Sequence, residues 1–97
     1  MSYTMEIEKE MSVRHEGSWG ATRWEVATLR ITAWACEERK RGGFELFDLE
    51  TRGNRFYAEG GLWFDEDMNL VDYDGVGSVP TDVRTWLEEE VASDGSN

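Results

Sequence analysis

"SYTMEIEKEMSVR", residues 2–14, decides the fold class. Tyr3, Met5, Ile7, Met11 and Val13 fall on one parity, with Lys9 the exception; Thr4, Glu6, Glu8, Glu10 and Ser12 fall on the other. Successive side chains of a strand point to opposite faces, so this alternation predicts a half-buried strand, whereas a helix would scatter the apolar set around its circumference. "HEGSWG" (15–20) then breaks the chain, its two glycines admitting a positive φ.

Working outward, "TRWEVATLRITAWACE" (22–37) places Trp24 and Val26 on one parity and Leu29, Ile31 and Ala33 on the other. A helix could also collect Val26, Leu29 and Ala33, but the β-branched residues and tryptophans favour strand, with a bulge expected at the phase change near Ala27–Thr28. "ERKRGG" (38–43) suits a hairpin turn on its Gly-Gly. "FELFDLE" (44–50) reads as a strand with Phe44, Leu46 and Asp48 on one face, and "TRGN" (51–54) turns it into "RFYAE" (55–59). Gly60-Gly61 is expected to interrupt the chain before "LWF" (62–64); "DEDMN" (65–69) is a turn, and "LVDYDG" (70–75) a short strand or edge segment.

The end of the chain changes period. In "SVPTDVRTWLEEEV" (78–91), Val83, Leu87 and Val91 repeat at i, i+4 and i+8 with Trp86 beside them, one apolar stripe of a helix. Ser78 and Pro80 suit a helix start, and Asp82 faces the positive end of the dipole. Glu88, Glu89 and Glu90 stand near the C-terminal end, where the dipole disfavours them. Five strands and a helix must cover each other, so the expectation is an α+β fold: an antiparallel sheet of about four to five strands packed against one C-terminal helix. One domain is expected over residues 1–92, with a flexible tail at 93–97.

Composition narrows the function classes. The 97 residues carry a net charge of -11 with five tryptophans, four phenylalanines and three tyrosines, an aromatic content unlike a disordered acidic tail. No apolar run is long enough to span a membrane, and the Glu-rich start is unlike a signal peptide. One cysteine, Cys36, excludes an internal disulfide and fits a reducing, cytoplasmic setting. Residues 1–55 hold ten acids and nine bases, whereas residues 56–97 hold eleven acids and Arg84 alone as base. A field of that sign disfavours nucleic acid and anionic lipid and favours a cationic protein surface.

Catalytic and metal chemistry find little support. From Asp65, the calcium-loop pattern meets Asp67 and Asn69, but Leu70 stands at the glycine position and Val76 at the twelfth. Looser Ca²⁺ or Mg²⁺ binding by Asp65, Asp67, Asp72 and Asp74 stays open as an alternative. His15 stands in an exposed turn, and Cys36 precedes two glutamates that disfavour a thiolate, so a small hydrolase is a weaker alternative still. No glycine pattern fits a phosphate loop or a dinucleotide site. The expectation is a protein that is not an enzyme and needs no cofactor.

The remaining chemistry is presentation of charge. Alternate residues of a strand lie about 6.6 Å apart, so Glu6, Glu8 and Glu10 form a straight carboxylate row resembling consecutive phosphates. Asp65, Glu66, Asp67, Asp72 and Asp74 add a second cluster, and Glu88, Glu89 and Glu90 a third. Trp63, Phe64 and Tyr73 beside the acids are candidate aromatic anchors, with core packing as their alternative reading. The stretch 42–91, from "GGFELFDLETRGNRFYAEGG" through "LWFDEDMNLVDYDG" to "TWLEEEV", resembles small acidic proteins of phages and mobile elements, among them DNA-mimic and anti-CRISPR inhibitors. The likeness lies in size, charge and turn-rich style. It implies a non-enzymatic inhibitor that blocks a basic, nucleic-acid-handling protein or nucleoprotein complex such as a host defence complex. "ERKR" at 38–41 departs from a uniformly acidic mimic and suggests one acidic face. A structural or assembly component of a phage or microbial complex is the alternative, and a homodimer is left open.

Overall fold

The alternating segment becomes β1, Ser2–Glu16, followed by β2, Thr22–Cys36, β3, Arg41–Asp48, β4, Tyr57–Phe64, and β5, Leu70–Gly75. The computed structural model describes residues 1–16, 18–75 and 78–92. Every strand pairs antiparallel with its sequence neighbour, giving a five-stranded meander in the order β1-β2-β3-β4-β5. A helix, α1, spans Thr81–Trp86 and runs on through a π-helical turn at Leu87–Val91. The fold is thus α+β, a five-stranded antiparallel sheet packed against one C-terminal helix. The 93–97 tail, Gly17 and the side chain of His15 lie outside the described residues.

Antiparallel pairing puts partnered residues on the same face. The row Ile7–Ile31–Leu46–Ala58 therefore faces the helix, as does Met5–Ala33–Phe44. Val83, Trp86, Leu87 and Val91 are buried against this face, so the i, i+4, i+8 stripe is the helix's contact surface. Lys9, the exception in the β1 alternation, reaches Asp82 of α1 at 2.9 Å, an ion pair across the layer interface. Leu87, a member of this buried cluster, is 4 % exposed. Leu87→Ala is expected to cost about 2–5 kcal/mol, read as a lower urea midpoint with an unchanged slope.

Four local expectations need correction. The β1–β2 register runs unbroken from Ser2↔Cys36 to Glu16↔Thr22, so there is no bulge at Ala27–Thr28, and β1 runs two residues past Arg14 before the expected break at 15–20, where Trp19 and Gly20 take positive φ. The apolar phase changes there because β3 pairs only with Leu29–Cys36 of β2. Beyond that point β1 and β2 continue as a two-stranded ribbon, and Trp24 and Val26 lie on its uncovered side, 69 % and 64 % exposed. This ribbon lengthens the molecule, whose principal extents are 51 × 22 × 17 Å.

The glycine pairs are the other two corrections. Gly42-Gly43 lies inside β3, opposite Ala35 and Trp34, and the turn before it is made by residues 37–40, with Lys40 at φ 54°. Gly60-Gly61 lies inside β4 without interrupting it. A Cβ on Gly43 would stand 3.0 Å from the Trp34 indole nitrogen, and one on Gly61 3.0 Å from the Trp63 ring. These glycines let two indoles lie flat on the sheet, a close approach rather than a turn.

Asp48, the last residue of β3, is fully buried. Its Oδ2 accepts from Arg55 Nε at 2.7 Å, and its Oδ1 accepts from an Arg55 terminal nitrogen at 3.2 Å and from the Glu50 amide at 3.0 Å. One carboxylate thereby fixes both the loop between β3 and β4 and the guanidinium that closes over it. The Arg55 guanidinium holds the Asp48 carboxyl below its ordinary range, against the opposing effect of burial.

Candidate functional site

One face of the sheet carries the helix; the other has no layer on it among the described residues. On this open face the register assembles Glu6, Thr32, Glu45 and Glu59 in one row across four strands. Flanking rows add Glu8 and Arg30 on one side, and Trp34 with Asp74 on the other. Asp72 is paired with Trp63, which is paired in turn with Arg41. Glu10 continues the β1 row onto the ribbon, opposite Thr28. Glu6, Glu8 and Glu10 are thus a straight exposed row, and Asp72 and Asp74 stand on the same face as that row, at the other edge of the sheet.

The other sequence candidates lie elsewhere. Phe64 is 6 % exposed and belongs to the helix-side core, which removes it as an anchor. Tyr73 pairs with Leu62 on the helix side, where the Arg84 guanidinium lies 5.7 Å from its ring centroid. Asp65 organises its own turn: Oδ1 accepts from the Asp67 and Asn69 amides, each at 2.9 Å. Glu66 and Asp67 are exposed at the tip of that turn, and Glu88, Glu89 and Glu90 are exposed on the helix layer. The acids therefore form three groups, of which the open face holds the largest.

The open face also holds carboxylates that sequence reasoning passed over. Glu45 and Glu59 stand directly opposite each other on β3 and β4, a like-charge pairing that ordinarily destabilises a sheet. The Tyr57 hydroxyl lies 3.0 Å from Glu59 Oε2 and 3.3 Å from Glu45 Oε2 and donates between them. That hydrogen bond to Glu59, then burial and the Glu45 charge, push the Tyr57 phenol up to about 12, so it stays a donor at neutral pH. No base among the described residues forms an ion pair with Glu45, Glu59 or Asp74. Together with Trp34 they surround a trough of about 520 Å³ floored by Gly43 and Gly61.

Bases on the face are engaged nearby. Arg30 stacks 5.1 Å from the Phe47 ring centroid with its Nε 3.6 Å from Glu6, and Arg41 lies 5.6 Å from the Trp63 ring. Trp34 is 50 % exposed beside the unpaired acids, so an aromatic surface and uncompensated charge adjoin. No three His, Cys, Asp or Glu among the described residues group as metal ligands, and no described helix is long and apolar enough to cross a membrane. The arrangement can present fixed negative charge and flat aromatic surface.

The chain matches no protein-family model, no curated protein and no solved structure.

Proposed function

We propose that the protein is a non-enzymatic binding protein whose open sheet face engages a basic, nucleic-acid-handling protein and blocks its nucleic-acid site. The observation that carries this reading is the trio Glu45, Glu59 and Asp74 around Trp34, acids with no ion-paired base among the described residues. Arginine and lysine that ordinarily grip phosphates would meet carboxylates on a rigid sheet, with the Trp34 indole available for stacking by a guanidinium. Single surface ion pairs contribute little; a field of several gives fast, salt-sensitive association. The exposed row Glu6, Glu8 and Glu10 extends that field along β1.

The test is capture of partners from a nuclease-treated cell extract on the immobilised protein. Retained proteins are expected to be nucleic-acid binders that duplex DNA displaces and that elute as salt rises from roughly 50 to 500 mM. Retention that neither DNA nor salt disturbs would contradict the reading and favour an assembly component held by apolar contacts.

A further inference from the structure

We propose that the free edge of β1 is a strand-addition site for an extended cationic segment of the partner, one with Lys or Arg at alternate positions. This rests on the binding role proposed above and specifies how the partner docks.

Among the described residues β1 pairs only with β2, so the outer side of its Thr4–Glu10 stretch has no strand beside it in the sheet. Which residues face that side follows from one bond. The Glu37 amide donates to the Met1 carbonyl at 3.0 Å, the end of the β1–β2 ladder. Hydrogen-bonded and non-hydrogen-bonded pairs alternate along an antiparallel ladder. Continuing from Met1–Glu37, the odd residues of β1 bond to β2, and Thr4, Glu6, Glu8 and Glu10 turn their amides and carbonyls outward. The residues that offer free backbone groups are therefore the same ones that carry the carboxylate row.

Long free edges are normally blocked by proline, a bulge or charge. β1 has no proline, and its register shows no bulge, so among the described residues charge is the guard this edge carries. That guard is selective. An antiparallel second copy centred on Glu8 would set Glu6 against Glu10 and Glu8 against its own counterpart, which like-charge repulsion disfavours. A strand with basic residues at i, i+2 and i+4 would set each of them opposite a carboxylate. On the helix side of the same edge, a groove of about 420 Å³ has Met5, Ile7 and Trp86 for walls and Glu89 and Glu90 at its rim. Its walls suit apolar side chains at the intervening positions, the valines of the probe below.

The probe is a seven-residue peptide, Lys-Val-Lys-Val-Lys-Val-Lys, titrated into the ¹⁵N-labelled full chain at low salt beside a copy N-methylated at alternate residues. The methylated copy keeps the charge and loses the strand's donors. The plain peptide is expected to slow hydrogen exchange at Glu6, Glu8 and Glu10 about tenfold or more, and to bind about tenfold more tightly than the methylated copy. Equal affinity with no protection of these amides would overturn strand addition while leaving the charged-face reading standing. No binding of either peptide would overturn both.

Discussion

Replacing Asp48 by Asn is expected to lower folding stability by about 3–5 kcal/mol, close to the whole margin of a small domain. The isosteric amide keeps the volume but removes the charge that Arg55 closes over. Asp48 is fully buried and Arg55 half-buried, with a side chain 19 % exposed. Asn at this position would leave the guanidinium facing a neutral oxygen in a site built for a carboxylate. Glu50 at 3.1 Å and Glu25 at 3.8 Å offset part of the loss, which places the expected value toward the lower end. The check is urea unfolding of both proteins at neutral pH.

The same pair sets an acid dependence. The Asp48 carboxyl lies below its ordinary range in the folded protein and returns to that range on unfolding. Its contribution is therefore fully present above the unfolded value, near 3.9, and is lost as pH falls through the folded value. The wild type is expected to lose stability on acidification below about pH 4, and D48N to lose less over that interval. Parallel acid profiles for the two proteins would contradict the role assigned to this pair.

The second large effect concerns binding. Neutralising Glu45, Glu59 and Asp74 together as E45Q/E59Q/D74N is expected to weaken capture of a DNA-displaceable partner about 10- to 100-fold. That equals about 1.4–2.8 kcal/mol, consistent with several modest charge contacts acting together. Stability should change little or rise, because the substitution removes the repulsion between Glu45 and Glu59 across the strand pair. An interaction site and a stability site thereby separate: D48N acts on folding, and the triple variant on association.

Legibility in the sequence followed the range of the interactions. The alternation of residues 2–14 and the Val83, Leu87, Val91 stripe are set by local period, and both became the elements expected. Parity also put Asp48 on the face of Phe44 and Leu46, although its partner Arg55 comes from the following loop and carries no local signal. Gly42-Gly43 and Gly60-Gly61 were misleading because glycine serves turns and close packing alike. Only strand pairing shows indoles lying on Gly43 and Gly61. Glu45 and Glu59 are fourteen residues apart and become neighbours through register alone, so a search for acidic runs finds 65–74 and 88–90 instead. The phase change in β2 reads locally as a bulge because nothing in the neighbouring residues reveals where β3 ends.

The most direct test of the central claim compares two charge variants for the same captured partner across a salt series. E45Q/E59Q/D74N and E88Q/E89Q/E90Q remove equal formal charge, one set from the open sheet face and the other from the helix layer. Binding through the open face requires the first to lose affinity and flatten the salt dependence, with the second staying close to wild type. Equal losses from both variants, or a larger loss from the helix variant, would contradict it.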